Sequence, residues 1–504
     1  MSKKFKILFF YPNEPLVGVA SSNLAILSSC LKQNGFDDIK LFDCSMYRSV
    51  SNDTQDQIRA KLGHVKKTDI DHYVQLNENN IYDDFIKTID EFKPDLIALS
   101  LVESTYYFSL SFLEKIQTKN IPVVAGGVGV TFLYDKILNS NLVDYVCVGE
   151  GEEAIVDLCN KLYNGEDCSD IKNIYTKDKN GNIIKNPLRP MIDINNLPMP
   201  DFSIYNDMRF YRPFLGRVVR TLQMDIDRGC PFTCTYCAAP SLRSTFRANN
   251  CGNYYRIKTW DRAFEEIKFL VQKYNLNFAW ISSETFMAVS DRKFKEFADR
   301  YKAEINLPFW CQSRLDTFTE EKTKLLADMG CQNISVGLEH GSEAIREKLL
   351  DKRLPNKVII EAAKQMAKNN IFPTLNNMVG LPGETREDVF ETVKLNREIS
   401  SILLGKHNIN VFTFVPFTGT RLRELCIEKG YIKEGDTFGQ NSYFQGSILD
   451  MPTMSRDEIK GLEKTLMLYI LLPECYYPDI KIAEKDDDEG KAMFEKLVKI
   501  KNNL

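Results

Sequence analysis

The first part of the chain alternates short apolar runs with stretches of helical periodicity. The apolar runs lie at Lys6–Tyr11, Ile39–Asp43, Leu96–Leu101, Pro122–Ala125 and Tyr145–Val148. Helical patterns lie at Ser22–Gln33, Ile81–Phe92, Phe108–Thr118 and Glu153–Tyr163. Continuous apolar strands separated by helices are typical of a parallel sheet that is covered on both faces. The pattern therefore predicts a doubly wound α/β domain over residues 1–165, with its ligand at the carboxyl ends of the strands.

Two segments interrupt this alternation. Residues 48–79 are polar and charged, which predicts an insertion within the first domain. Residues 166–217 lose the alternation and contain Pro187, Pro190, Pro198 and Pro200, which predicts a linker between domains.

A second series of strands and helices follows the predicted linker. Predicted strands are Gln223–Asp227, Asn277–Ser282, Pro308–Gln312, Asn333–Gly337, Thr374–Val379 and Asn408–Phe414. Predicted helices are Trp260–Tyr274, Asp291–Lys302, Glu320–Met329, Pro355–Asn369, Arg386–Ser400 and Arg421–Lys429. Six βα units over residues 218–430 suit a partial (β/α)6 barrel better than a closed eight-fold one. Residues 431–504, with helical periodicity at Arg456–Leu472, are predicted to form a small, mainly helical cap.

Charge and hydropathy restrict the partners of the chain. Its 504 residues carry 65 Lys plus Arg against 69 Asp plus Glu, and no long basic block suggests nucleic acid. No segment reaches the roughly 18 to 20 apolar residues that a membrane-spanning helix needs. The apolar run after the N-terminal lysines stops at Pro12, too soon for a signal peptide. A cytoplasmic protein is therefore expected.

Most of the 13 cysteines stand singly in apolar stretches, but three form a cluster. Cys230, Cys234 and Cys237 have the spacing C-x3-C-x2-C in MDIDRGCPFTCTYCAAP, directly after the first predicted barrel strand. Soft sulfur donors this close together suit an iron-sulfur cluster or zinc. A structural zinc site needs four ligands, and the nearest further cysteine is Cys251, with the four histidines remote. A 4Fe-4S cluster held by three thiolates leaves one iron open, while zinc or unliganded thiols remain alternatives.

The cysteine spacing, with an aromatic residue before the last cysteine and a six-fold βα barrel, resembles the radical S-adenosylmethionine (SAM) superfamily. The resemblance covers residues from about 218 to 430. It implies that the open iron chelates the amino and carboxylate groups of SAM. It further implies that an electron from the cluster breaks the S–C5′ bond, giving methionine and a 5′-deoxyadenosyl radical that removes a hydrogen atom from the substrate. A donor such as flavodoxin or ferredoxin is then expected to supply the electron.

The same resemblance implies where SAM binds. Ser283 and Glu284 end the second barrel strand, although the family more often has glycine or aspartate there. Arg314 is expected to pair with the SAM carboxylate, unless it is an ordinary surface arginine. Glu339 lies in SVGLEHGSE, where His340 replaces the usual serine. The remaining expected SAM contacts are Tyr236, Gly380 and Pro382, the last two in a segment that equally suits a tight turn.

The first domain adds a second resemblance, to the cobalamin-binding class of the superfamily. GGVGVT at 126–131 and VGEGEEAI at 148–155, in a Rossmann-like domain ahead of the barrel, carry it. The histidine motif D-x-H-x-x-G is absent, so no histidine lower ligand for cobalt is expected from this domain. Gly129 stands where relatives often have histidine. Expected cobalamin contacts are Ser100, Glu103, Ser104, Gly126, Gly127, Thr131, Gly149, Glu150 and Gly151.

Together the two resemblances imply an enzyme that uses a 4Fe-4S cluster, SAM and cobalamin. The leading hypothesis is methylation of an unactivated carbon in a small-molecule, lipid or peptide substrate, because cobalamin carries methyl groups. Radical cyclisation, rearrangement or oxidation without methyl transfer is the alternative. A non-catalytic iron-sulfur or corrinoid-binding protein is an alternative of another class. A methylthiotransferase is disfavoured, because no second set of three cysteines occurs in the N-terminal region.

Overall fold

The computed structural model describes residues 3–48, 53–65, 67–439 and 446–502. The chain forms two compact units, and neither is one continuous stretch. The first comprises Met1–Ile58, Thr68–Met224 and Ser241–Leu276, and the second comprises Arg59–Lys67, Asp225–Pro240 and Asn277–Leu504. These units differ from the four predicted segments, because residues 241–276 pack with the N-terminal part and residues 59–67 pack with the barrel.

The strands and helices follow one another along the whole chain. The strands are β1 (Ile7–Tyr11), β2 (Ile39–Asp43), β3 (Leu96–Ser100), β4 (Val123–Gly126), β5 (Tyr145–Cys147), β6 (Ile174–Lys177), β7 (Ile183–Lys185), β8 (Tyr211–Phe214), β9 (Arg217–Arg220), β10 (Gln223–Asp225), β11 (Asp227–Arg228), β12 (Arg256–Ile257), β13 (Ala279–Ser282), β14 (Phe309–Ser313), β15 (Cys331–Glu339), β16 (Pro373–Val379) and β17 (Asn408–Thr413). The helices are α1 (Ser22–Gln33), α2 (Gln55–Lys61), α3 (Ile81–Phe92), α4 (Tyr106–Ile116), α5 (Val130–Asn139), α6 (Glu152–Asn164), α7 (Ala239–Ala248), α8 (Trp260–Tyr274), α9 (Asp291–Glu304), α10 (Glu320–Asp328), α11 (Glu343–Lys348), α12 (Asn356–Lys368), α13 (Arg386–Ile402), α14 (Arg421–Glu428), α15 (Arg456–Leu471), α16 (Tyr477–Ala483) and α17 (Asp488–Asn502).

The first unit is built on a sheet with the strand order β2-β1-β3-β4-β5-β6-β7. Strands β1 to β5 pair in parallel, and β6 and β7 extend the sheet in antiparallel fashion. Phe10, Phe85 and Phe112 are fully buried in its core, with ring centroids 4.8 to 5.2 Å apart. The doubly wound fold is therefore confirmed. Residues 166–217, predicted as a linker, contain β6, β7 and β8, and the partner of β8 in a hairpin, β9, begins at the last of these residues.

The predicted insertion lies partly outside the described residues, namely at 49–52 and 66. Its described part contains α2, and its residues 59–67 belong to the second unit. There the Arg59 guanidinium donates to the Asn410 side chain at 2.9 Å, and Lys501 donates to the Gly63 carbonyl at 2.9 Å.

A six-stranded sheet has the order β10-β13-β14-β15-β16-β17, and its strands β13 to β17 belong to the second unit. Strands β13 to β17 pair in parallel, with helices between them. This confirms the partial barrel. The outer faces of β16 and β17 bury Val379, Ile409 and Val411 in one apolar cluster with Leu462 and Leu466 of α15. The described part of the C-terminal region, including α15, α16 and α17, is helical as predicted.

In the ranges that the structure describes, no helix is long and apolar enough to cross a membrane.

Candidate cluster and cofactor sites

The loop with the three cysteines follows β11 and is tied to two distant segments. Gly229 begins it with φ at 84°, a left-handed conformation that glycine adopts without strain. Thr235 donates its amide to the Leu350 carbonyl at 3.0 Å and its hydroxyl to the Leu349 carbonyl at 2.6 Å. Its own carbonyl accepts the Leu422 amide at 3.0 Å. Since these partners lie after β15 and β17, the middle of the loop is fixed by the barrel itself.

The cysteine sulfurs lie in a protected and electrostatically mixed environment. Cys234 is buried, and its sulfur is 3.6 Å from the Arg314 guanidinium. The Ala239 amide donates to the Cys237 sulfur at 3.5 Å. Burial raises the pKa of Cys237 to about 11, and the nearby Glu284 carboxylate adds to the shift. The Cys237 thiol therefore keeps its proton until a positive metal centre replaces it.

The three thiols suit a cluster better than one ion. In the described residues, no three His, Cys, Asp or Glu side chains lie close enough together to chelate one metal ion. In a cubane cluster each thiolate binds a different iron, so the sulfurs need not converge on one point. The donor chemistry and the arginine and amide that face the sulfurs thus fit a 4Fe-4S cluster.

Ser283 and Glu284 follow β13, next to the cysteine loop. Glu284 remains exposed to solvent, but desolvation by the surrounding protein and repulsion from Asp225 raise its pKa. Ser283 is buried, and its hydroxyl donates to Asp227 at 2.5 Å. Burial raises the pKa of Asp227 to about 7. The structure thus brings Glu284 to the cysteines and engages Ser283 with Asp227, a residue that the sequence analysis did not single out.

Arg314 follows β14 and is not an ordinary surface arginine. Its guanidinium lies over the Phe232 ring at 3.9 Å and pairs with Asp316 at 2.8 Å. With the contact to Cys234, this places a fixed positive charge beside the cysteine loop.

Glu339 ends β15 in a conformation that is uncommon for a residue with a side chain. Its φ is 69°, and the register with β16 shifts between Gly337 and Glu339. The turned carboxylate accepts from the Tyr236 hydroxyl at 3.0 Å and pairs with the Lys352 ammonium at 2.8 Å. Backbone strain of this kind is concentrated at functional sites. Lys352 was missed by the sequence analysis, and only a local charge in LDKRLP could have indicated it.

The loop after β16 is closed by a buried glutamate. Glu384 accepts the amides of Gly380 at 2.5 Å and Leu381 at 3.0 Å. Its second oxygen lies 3.0 Å from Nε2 of His340, which is itself fully buried. Because His340 Nδ1 accepts the Ser342 amide, Nε2 carries the proton and faces the carboxylate. His340 therefore accepts a hydrogen bond from the Ser342 amide, and its other ring nitrogen lies beside the carboxylate that holds the Gly380–Leu381 turn.

The residues expected at cobalamin in the first unit lie after β3, β4 and β5. Ser100 ends β3, and Glu103 is buried in the loop after it, next to Ser104. A Cβ atom on Gly127 would lie 2.1 Å from the Leu101 carbonyl oxygen, and one on Gly129 would lie 2.9 Å from the Glu103 amide. These two glycines are thus required for the close approach of two neighbouring loops. Gly126 has room for a Cβ, and Thr131 is buried in the first turn of α5.

The segment after β5 makes contacts within the same unit. Gly149 has φ at 91°, and a Cβ there would lie 3.0 Å from the Phe246 ring. Glu150 pairs with Arg256 at 2.5 Å, and Gly151 immediately precedes α6. Glu150 is therefore already engaged by a guanidinium.

The carboxyl edge of this sheet also exposes apolar side chains. Val102 follows β3 with 46% exposure, and Val128 follows β4 with 56% exposure. Two exposed aliphatic side chains beside the glycine loops are the surface that a flat macrocycle such as a corrin would cover. The residues present therefore fit cobalamin.

Comparison with known proteins identifies two domains in the chain. Residues 224–395 match the family model "Radical SAM superfamily", and residues 22–159 match "B12 binding domain". An uncharacterized methyltransferase of Pyrococcus horikoshii is 27% identical over 416 residues, covering 80% of this chain and 85% of that protein. An anaerobic magnesium-protoporphyrin IX monomethyl ester cyclase of Rubrivivax gelatinosus is 24% identical over 410 residues, covering 78% of this chain and 66% of that protein.

A solved structure shares the fold over the whole chain. The radical SAM methyltransferase TsrM of Kitasatospora setae, with cobalamin and a [4Fe-4S] cluster bound, superposes with a TM-score of 0.64 at 14% identity. The match covers 100% of this chain and 99% of that chain.

The chain belongs to the radical SAM superfamily, in the class that carries a B12-binding domain ahead of the radical SAM domain. It is an enzyme, and its cofactors are a 4Fe-4S cluster, SAM and cobalamin.

Proposed function

We propose that this enzyme methylates an unactivated carbon of a small-molecule substrate. The observation that carries the proposal is the grouping of the cysteine loop, Glu284, Arg314 and Glu339 at the strand ends of one barrel. The B12-binding match and the methyltransferase names of relatives support methyl transfer over other radical chemistry.

In this proposal the three thiolates of Cys230, Cys234 and Cys237 hold the cluster. Arg314 offsets the negative charge of the cluster from beside Cys234. Glu284 lies where it can accept from the SAM amino group. The Tyr236 hydroxyl and the Lys352 ammonium orient Glu339 toward the ribose or methionyl end of SAM.

The remaining SAM contacts belong to the turn after β16. Glu384 holds the backbone of the turn by accepting the Gly380 and Leu381 amides, and we place the adenine beside Gly380 and Pro382 of this turn. Ser283 acts through Asp227 rather than on SAM directly. In the first unit, Ser100, Gly126, Thr131 and the loops at Gly127 and Gly149 form the cobalamin surface.

When bound, the cluster supplies the electron that cleaves SAM, and cobalamin carries the methyl group. The net reaction consumes two SAM and two electrons per methyl group. One SAM loses its S–CH3 bond and leaves S-adenosylhomocysteine, while the other loses its S–C5′ bond and leaves methionine and 5′-deoxyadenosine. The hydrogen atom removed from the substrate carbon ends on 5′-deoxyadenosine, and the methyl group replaces it.

The test is anaerobic reconstitution with cobalamin, a reductant and SAM carrying a CD3 methyl group, in the presence of a metabolite extract of the source cells. We expect S-adenosylhomocysteine, 5′-deoxyadenosine and a product that is heavier by the labelled methyl group. Cys475→Ala, which changes an exposed cysteine outside the loop, should leave all three unchanged. Formation of 5′-deoxyadenosine without S-adenosylhomocysteine in a complete reaction would contradict the proposal.

Radical cyclisation is the second candidate, because the Rubrivivax gelatinosus relative is named as a cyclase over 78% of this chain. The mass of the product separates the two functions. A cyclase product keeps the carbon count of its substrate, and no CD3 label enters it.

A further inference from the structure

The inner face of the barrel is lined by polar and aromatic side chains that remain partly exposed. In β14 these are Trp310 and Gln312, in β15 Ser335, and in β16 Asn376, each alternating with fully buried residues. A parallel sheet that is covered on both faces normally buries both of them. The alternation therefore marks a solvent-accessible chamber inside the barrel of the second unit.

Three hydrogen bonds form a continuous ladder across this chamber. The Arg59 guanidinium donates to Oδ1 of Asn410 at 2.9 Å, and Nδ2 of Asn410 donates to Oδ1 of Asn376 at 2.9 Å. Nδ2 of Asn376 then donates to the Ser335 hydroxyl at 2.8 Å. Because a guanidinium can only donate, it fixes the orientation of both amides. The ladder ends on a Ser335 hydroxyl whose own proton remains available to a ligand.

Gln312 lies next to Ser335, at the end of the ladder, and its side-chain amide makes no hydrogen bond to any described residue. Gln312 is opposite Ser335 in the register of β14 and β15 and lies on the same inner face. The Ser335 hydroxyl and the Gln312 amide thus present donors and acceptors side by side.

Two stacked indoles flank these polar groups. Trp280 and Trp310 are opposite each other in register, with centroids 4.2 Å apart and planes at 24°. Both are partly exposed, and Trp310 shares its face of β14 with Gln312. An indole surface beside fixed polar groups suits a flat ligand with polar edges.

We infer, on the basis of the proposed function, that the substrate is a polar molecule with a planar ring or amide group, and not a hydrocarbon lipid. Its flat part would lie against Trp280 and Trp310, with its polar edge on Ser335 and Gln312. A hydrocarbon chain would remove water from these side chains and return no hydrogen bonds, which is unfavourable. The insertion takes part in recognition, because its Arg59 fixes the ladder.

The inference is tested without radical chemistry by the retention of metabolites. The enzyme is saturated with SAM and cobalamin and incubated with either the aqueous-methanol or the chloroform fraction of an extract of the source cells. Gel filtration then removes unbound metabolites, and mass spectrometry identifies those that elute with the protein. We expect a retained metabolite from the aqueous fraction only. Ser335→Ala should weaken its retention about 10-fold, as expected for one lost hydrogen bond, and Asn376→Leu should abolish it.

Asn249→Leu, at an exposed asparagine of the first unit, is the matched control and should retain the metabolite like the wild type. Trp260→Phe leaves Trp280 and Trp310 as the only two tryptophans of the chain. Titration of this variant with the retained metabolite should change its fluorescence with saturation, even if Asn376→Leu fails to fold.

Three results would overturn the inference. They are retention of a metabolite from the chloroform fraction, no retention of a metabolite from either fraction, and equal retention of the metabolite by the wild type and Ser335→Ala. The proposed function fails on a different observation, namely the absence of S-adenosylhomocysteine and of the CD3 label in any product. The two failures are therefore distinguishable.

Discussion

The buried ion pair between Lys352 and Glu339 allows a quantitative test. The ammonium and carboxylate lie 2.8 Å apart, with side-chain exposures of 4% and 11%. In Lys352→Met the Glu339 carboxylate loses its cation and keeps the hydrogen bond from the Tyr236 hydroxyl. Breaking such a pair by removing one partner costs about 3–5 kcal/mol of unfolding free energy. In a unit of this size, 1 kcal/mol changes Tm by about 2–4 °C, so a decrease of about 10 °C is expected.

Thermal unfolding of the cofactor-free variants, followed by circular dichroism, measures this effect in a double-mutant cycle. Glu339→Gln alone leaves Lys352 buried without its charge partner and should also be destabilised. The double variant buries neither charge and should be milder than the sum of the two, with a coupling of about 2 kcal/mol or more. Lys368→Met removes an exposed pair with Glu320 and should change Tm little. If the losses of unfolding free energy in the two single variants sum to the loss in the double variant within about 0.5 kcal/mol, the idea of a coupled buried pair is refuted.

Further expectations concern the cysteine loop, two glycines and one buried acid. Cys230→Ala should lose the visible absorbance of the reconstituted cluster, and Cys475→Ala should keep it; equal spectra would contradict the ligand assignment. Gly341→Ala should unfold the barrel or cost more than about 4 kcal/mol, because its Cβ would lie 2.1 Å from the backbone carbonyl oxygen of Glu391. In Gly337→Ala the Cβ meets only the movable ends of the Glu339 and Lys352 side chains, at 1.9 and 2.6 Å, so Tm should fall less while SAM affinity measured by calorimetry falls. Burial raises the pKa of Glu463 from 4.5 to about 8, so the folded state binds this proton more tightly than the unfolded state and loses stability as the pH rises from 4.5 through 8. Glu463→Gln should therefore have a higher Tm than the wild type at pH 9 but not at pH 4. A difference in Tm that does not depend on pH would contradict this expectation.

Elements with a strong periodic pattern were predictable from the sequence. Helices α1, α3 and α8 have the predicted bounds, because their apolar positions repeat at helical spacing and Asn80 and Thr259 cap α3 and α8. Helix α5 was missed, since Val130 and Thr131 disfavour helix and were interpreted as part of a ligand loop. Burial of Val130, Leu133 and Ile137 outweighs that preference.

Within the site, contiguous residues were predictable and partners distant in sequence were not. The spacing of the cysteines is local, so it was visible in one loop. Lys352 meets Glu339 because the chain folds back to the end of β15 after α11. Glu384 meets His340 because the adjacent parallel strands β15 and β16 bring their carboxyl ends together. No pattern within either segment indicates those pairs. The two-unit division was equally hidden, because the packing of residues 59–67 and 241–276 depends on tertiary contacts alone.

The interleaving of the two units has a consequence for how the chain is made and cut. During synthesis from the N-terminus, residues 59–67 leave the ribosome before any barrel strand exists. They can make their hydrogen bonds to Asn410 and Lys501 only after those residues have been synthesised. The sheet of the first unit can form early, yet helix α8 reaches that unit only after the cysteine loop has been made. A single cut at residue 217 would therefore leave two incomplete fragments. One would lack the α8 segment, and the other would lack the arginine that orders the interior of its barrel.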